Sequence, residues 1–148
     1  MARPRVPAAI FDVDGTLVDV SSVRHHVMQR PKRFDRFHAE AIDCPPHPLA
    51  VDLARKARDD GMAVLVVTAR KESWRFHTLL WLREQGIEHD AIYMRGVQVN
   101  RKDYDVKADL LRSIQRRYDV RLAVDDNPNV IRLWQEHGIP TITVPGVG

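Results

Sequence analysis

Ala8-Ala9-Ile10-Phe11-Asp12-Val13-Asp14-Gly15-Thr16-Leu17 is the stretch whose reading decides the fold of this chain. A short apolar run that ends in a turn residue reads as a buried strand. The strand, about residues 8–12, delivers Asp12 and Asp14 at its carboxyl end. That is the edge at which open α/β sheets bind ligands. On a regular strand, side chains two apart share a face. For the two carboxylates to take different roles, the chain must curl just after Asp12, and Gly15 helps to permit the curl. Carboxylates this close repel, and a hard cation relieves the repulsion. The stretch therefore predicts an oxygen-ligand site for Mg²⁺, with one acid left for chemistry. An Asp pair at a strand end can also be only a solvated turn. An EF-hand loop is excluded, because Gly15 is fourth from Asp12 rather than sixth and no distal Glu follows.

The rest of the chain repeats the pattern. Further strands are predicted over 63–67, 91–94, 121–124 and 141–144. Helices are predicted between them. One covers 49–60, with Leu49, Leu53, Ala54 and Ala57 inward. The next is capped by Ser73 and carries Phe76, Leu79, Leu80 and Leu82. The others cover 104–118, with Leu110, Leu111 and Ile114 inward, and 128–137, opened by Pro128. Alternating strands and helices predict an α/β fold with a five-stranded parallel sheet between helical layers. Asp12 and Asp14, Thr68 and Arg70, Arg95, and Asp125 and Asp126 all fall just after a strand, so four strand ends converge on one sheet edge.

The composition is that of a globular protein: 148 residues, 44% apolar, 29% charged, net charge +3. This length predicts a single domain, 1–148. The mild positive charge permits an anionic substrate without requiring one. Cys44 is the only cysteine, which excludes an intrachain disulfide and a multi-thiolate metal site and suits a reducing cytoplasm. Residues 1–7 are a Pro-interrupted lead-in, and the apolar run behind them is too short for a signal peptide or a membrane span. A cytoplasmic protein without a membrane partner is expected. No G-x-x-x-x-G-K-[ST] string occurs, so no P-loop kinase domain is present in this sequence.

The string FDVDGTLVD resembles the first motif of the haloacid dehalogenase (HAD) superfamily of phosphohydrolases. V-V-T-A-R at 66–70, V-K at 106–107 and V-D-D-N-P at 124–128 resemble the second, third and fourth. The resemblance spans about residues 8–144 and implies a Rossmann-like three-layer fold. It implies Asp12 as nucleophile, Asp14 as general acid/base, and Thr68 and Lys107 as catalytic partners. Mg²⁺ would be held by Asp12, Asp125 and the backbone carbonyl of Asp14. Gly15, Thr16 and Asp126 would support the site. An acid two residues after the nucleophile matches the family's phosphatases.

Residues 20–47 carry Arg24, His25, His26, Arg30, Lys32, Arg33, Arg36 and His38. One or two short helices broken by Pro31 are expected there, with Val23, Val27, Phe34, Phe37 and Ile42 inward. The segment is too short for a full cap and predicts a flap or rim beside an open site. Residues 64–70, 95–107 and 121–140 look like the 3′-phosphatase half of the bacteriophage polynucleotide kinase-phosphatase. By that likeness Thr68, Ala69, Arg70, Arg95 and Lys107 would hold the substrate phosphate, on a nucleic-acid end or a nucleotide. The kinase half has no counterpart in this sequence, which leaves room for a separate kinase or ligase partner. Asn127 stands where that enzyme has Arg. The basic cluster at 24–36 is either a backbone-tracking rim or a solvated face. A small-molecule phosphatase and an inactive binding module are the other readings. The tryptophans Trp74, Trp81 and Trp134 are expected in the core, with Trp74 near enough to the site to serve as a stacking surface.

Overall fold

In the computed structural model, residues 4–145 are described, so the first three residues of the lead-in lie outside the described residues. β1 (Val6–Phe11) carries apolar side chains on both faces, as a strand buried between two helical layers must. Ala9 and Phe11 pack into one core, and Ala8 and Ile10 into the other. β1 pairs in parallel with β2 (Ala63–Lys71) on one side and β4 (Tyr118–Asp125) on the other. β3 (Ala91–Arg95) and β5 (Thr141–Thr143) form the edges, giving the order β3-β2-β1-β4-β5.

The chain winds outward from β1 to β2 and β3, then returns to lay down β4 and β5 on the other side. The order therefore reverses between β1 and β4, which places the topological switch point at their carboxyl ends. α3 (Pro48–Asp59) and α4 (Arg75–Glu84) contribute to the core that holds Phe11. α5 (Asp103–Gln115) and α6 (Pro128–Glu136) contribute to the core that holds Ile10. Between β1 and α3 lie two short helices, α1 (His25–Met28) and α2 (Phe34–Ala41), with Pro31 in the turn between them. No helix among the described residues is long and apolar enough to cross a membrane.

Several local expectations need correction. β2 does not stop at Val67; Lys71 pairs with Arg95 beyond a break in register, so Thr68, Ala69 and Arg70 lie inside an irregular stretch of the strand. Ser73 caps nothing. Residues Glu72–Trp74 form a 3₁₀ turn, held by the Arg75 guanidinium donating to Glu72 at 2.7 and 2.9 Å, and α4 starts at Arg75. α3 begins with Pro48 at its first turn, which turns Ala50, Val51, Ala54 and Ala57 inward and leaves Leu49 exposed. Phe76 is exposed because α4 buries Thr78, Trp81 and Leu82 instead. Val23 and Phe37 are buried as expected, whereas Phe34 is exposed. Pro128 does open α6, where the Asn127 side chain accepts from Asn129 N at 3.0 Å.

Candidate active site

The backbone curls at once after β1. Thr16 N donates to Val13 O (3.1 Å), Val18 N to Val13 O (2.9 Å) and Gly15 N to Val18 O (2.9 Å). This curl sends the two carboxylates of D-V-D into different surroundings. Gly15 makes it possible twice over. Its φ is +81°, and a Cβ there would stand 2.2 Å from Asp126 Oδ2. Gly15→Ala is expected to cost about 1–3 kcal/mol and to push the Asp126 carboxylate away from its neighbours. Denaturant unfolding measures the cost; a change within about 0.5 kcal/mol would mean that the loop adapts freely.

Asp12 joins Asp125 and Asp126, with one oxygen of each within 4.8 Å of the others. Asp12 and Asp125 come from the ends of β1 and β4, the strands that flank the switch point. Lys107, buried on α5, reaches across the sheet edge and donates to Asp12 Oδ1 (3.0 Å) and Asp125 Oδ2 (2.7 Å). The other Asp125 oxygen accepts from the backbone N–H of Asp126 (2.8 Å) and Asn127 (3.0 Å). The buried Thr16 hydroxyl lies 3.2 Å from Asp126 Oδ1 and 3.4 Å from Asp12 Oδ2. Burial pushes the Asp12 carboxyl well above the usual range, and the Asp125 carboxylate adds to the push. Burial raises Asp126 too. Lys107 is held as a firm cation, because its two carboxylate partners outweigh the burial that opposes its charge.

Asp14 is not a member of that cluster. Its carboxylate takes the fork of Arg70, with Nε at 3.0 Å and Nη2 at 2.6 Å. Burial alone would raise its pKa, but the Arg70 guanidinium outweighs burial and holds the carboxyl below the usual range. Arg70 also donates to Thr78 Oγ1 at 3.0 Å. His38 Nδ1, from α2, stands 3.9 Å from Asp14 Oδ2. Neither Thr78 nor His38 could be assigned to this network from the sequence. Thr78 sits mid-helix with no motif around it, and His38 belongs to the irregular segment after the first motif.

The structure places the remaining residues as follows. Thr68 is buried, and its Oγ1 accepts from Arg70 N at 3.1 Å. Arg95 donates to Ala69 O (2.9 Å), Arg101 O and Asp103 Oδ1 (2.6 Å), tying β2 and the 95–103 loop to the first turn of α5. A cleft of about 510 Å³ opens beside Asp14 and Arg70, lined by residues of α2, of the 3₁₀ turn at Trp74 and of the 95–103 loop.

The donor set fits a hard divalent cation. Three carboxyl groups converge, and the single lysine beside them contacts only Asp12 and Asp125, so the cluster holds more acid than its one cation offsets. Added Mg²⁺ is expected to stabilise the fold by about 2.7 kcal/mol at a hundredfold excess over its dissociation constant. A thermal melt with Mg²⁺ and then EDTA reads this, and an unchanged midpoint would count against a metal at these aspartates.

A doubly wound parallel sheet whose first strand ends in this curl, with a lysine and two further aspartates at the switch point, defines a HAD-type hydrolase. The chain belongs to the polynucleotide kinase PNKP phosphatase domain family, whose model matches residues 6–146. It is similar in structure to a chain of the Pnkp1/Rnl/Hen1 complex, with a TM-score of 0.81 and 26% identity over 95% of this chain and 46% of that one. The chain thus spans less than half the length of that relative. The class C acid phosphatase from Bacillus anthracis with tungstate bound has a TM-score of 0.70 at 16% identity, over 97% of this chain and 68% of that one. The haloacid dehalogenase-like protein SP0104 from Streptococcus pneumoniae has 0.64 at 16% identity, over 95% and 85%. These last two share the fold.

Proposed function

We propose that this phosphatase domain removes phosphate from the 3′ ends of polynucleotides, or from nucleotides, by Mg²⁺-dependent hydrolysis through an aspartyl-phosphate on Asp12. The observation that carries the reading is the separation of Asp12 from Asp14. Two carboxylates two residues apart lie in opposite electrostatic surroundings, one among acids beside Lys107, the other in the grip of Arg70. Such a divergence is how one site obtains two roles from one residue type.

In this mechanism an Asp12 oxygen attacks phosphorus, and the bond to the leaving oxygen breaks as Asp14 protonates that oxygen. Water then attacks the aspartyl-phosphate, Asp14 takes its proton, and Asp12 is released with inorganic phosphate. Bound to Asp12, Asp125 and the Asp14 carbonyl, with Asp126 beside them, Mg²⁺ would neutralise charge on the cluster and on a phosphate oxygen. Lys107 opposes the rise that burial and Asp125 impose on Asp12, and a cation bound at the cluster would further favour the carboxylate that attacks. Without substrate, Arg70 holds Asp14 as a carboxylate; an incoming phosphate competes for that guanidinium, and Asp14 then rises toward the protonated form the first step needs. Thr68, Ala69, Arg70, Arg95 and Lys107 surround the phosphate with donors and positive charge. Family membership and the R-K-D-Y-D-V-K segment support a polynucleotide 3′ end. Similarity to a chain of an RNA repair complex supports a separate kinase or ligase partner.

Phosphate release with Mg²⁺ and with EDTA, from 3′- and 5′-phosphorylated oligonucleotides, nucleoside 3′- and 5′-monophosphates and a sugar phosphate, tests the proposal. The 3′-phosphorylated oligonucleotide is expected to lead. Preference for a monomer would make this a metabolite phosphatase, and no release from any would favour a binding module. Arg30, Lys32, Arg33 and Arg36 are exposed. Neutralising all four is expected to raise KM for oligonucleotides and flatten its salt dependence. An equal effect on a small phosphomonoester would remove their role in holding a polymer.

A further inference from the structure

We infer that the cleft beside Asp14 contains a stacking subsite for the nucleobase of the terminal nucleotide, formed by Trp74 and Phe34. The inference rests on the proposed nucleic-acid or nucleotide substrate and adds how its end is recognised.

The three tryptophans part company in the fold. Trp81 and Trp134 are core residues, 2% and 1% exposed, and Trp81 Nε1 donates to Cys44 O at 2.9 Å. Trp74 is only partly buried and lines the cleft. It sits in the 3₁₀ turn four residues beyond Arg70, so the strand that carries the Asp14 clamp also delivers this ring. α2 lines the same cleft. There Phe34 is 53% exposed, although an aromatic side chain of this size normally finds a core. His38 lies near both, 6.4 Å from the Phe34 ring and 5.5 Å from the Trp74 ring. Lys32 Nζ lies 5.8 Å from the Phe34 centroid, which sets a cation at the same wall.

The cleft thus joins two chemistries. One end offers Asp14, Arg70 and Arg95 to a phosphate; the walls offer aromatic faces. A sugar phosphate uses only the first, and a nucleotide uses both. A volume of about 510 Å³ suits a ligand of that size. Stacking is tolerant of base identity because every base has a π-face. The subsite therefore requires a base without selecting which one.

Two 3′-phosphorylated oligonucleotides, identical except that one has an abasic terminal nucleotide, test this. For the unaltered protein KM is expected to be about tenfold lower on the base-bearing end, the lower range of one stacked base. Trp74→Leu and, separately, Phe34→Ala should bring the ratio toward one, and Trp74→Phe should restore most of it. Phe34 is exposed enough that its truncation should not unfold the chain. Equal KM for both ends in the unaltered protein would overturn the subsite while leaving the phosphatase reading intact. Binding is read separately in an Asp12→Asn background by tryptophan emission. With Trp81 and Trp134 buried, quenching by the base-bearing end but not the abasic end would mark Trp74. If neither oligonucleotide is hydrolysed but nucleoside monophosphates are, the polymer reading falls. The same emission titration, with a nucleoside 3′-monophosphate against a ribose phosphate, then decides the subsite: selective quenching supports it, and its absence overturns it.

Discussion

Asp12→Asn is expected to abolish turnover, by on the order of 10⁶-fold, while leaving the metal-free fold as stable as before or more so. The kinetic loss follows from removing the carboxylate proposed to attack phosphorus. The stability gain has a separate cause. Burial, and after it the neighbouring Asp125 carboxylate, drive the Asp12 carboxyl well above the ordinary value of 3.8. A carboxyl raised in the folded state makes the fold lose stability as pH climbs from the unfolded pKa through the folded one. Asparagine removes that term and still accepts from Lys107. In EDTA at neutral pH the variant should therefore melt at or above the parent, and Mg²⁺ should stabilise it less. Retained turnover would sink the nucleophile assignment; a large drop in melting temperature would sink the account of the cluster.

Asp14→Ala should behave in the opposite way, losing about 3–5 kcal/mol of stability as well as activity. Arg70 is 4% exposed, and its charge is met by Asp14 through two hydrogen bonds. Truncating Asp14 leaves a buried guanidinium with Thr78 but no anion in direct contact. Removing both charges, as Asp14→Ala with Arg70→Met, should recover much of the loss, since an apolar pair of similar volume does not carry the desolvation cost. The sign with pH follows from the lowered Asp14 carboxyl. Its contribution is complete above the ordinary value of 3.8 and disappears as pH falls through the folded pKa. Urea unfolding at neutral pH and in steps below pH 4 should show the deficit of the single variant shrinking with acid. A deficit that is small at neutral pH, or constant with pH, would contradict the pairing.

These two aspartates show where reading along the chain succeeds and where it stops. The apolar run before Asp12 and the glycine after Asp14 announce a strand followed by a curl, because strand burial and positive φ are local requirements. The convergence of Asp12, Thr68, Arg95 and Asp125 on one edge follows from alternating elements and right-handed crossovers, so it too could be read in advance. Helix faces were less legible. Leu49 and Phe76 fit an amphipathic pattern but face solvent, because one residue of shift at the helix start rotates the face by about 100°. Phe34, in a helix whose pattern points it inward, lies exposed in the lining of the cleft.

The sequence by itself determined a five-stranded parallel α/β sheet and the set of polar residues at its carboxyl edge, since periodicity and turn chemistry act over a few neighbouring residues. Only the tertiary structure decided how those residues divide. Lys107 and Asp12 are 95 positions apart, and Arg70 and Asp14 are 56 apart. No local propensity tells which cation meets which carboxylate across such separations. That choice is made by strand order, by the bulged end of β2, and by helices that bring His38 and Thr78 to Asp14 and its arginine. Burial then turns the division into chemistry: set in the crevice beside Asp125, Asp12 is pushed above the ordinary range, while Asp14, gripped by Arg70, is held below it.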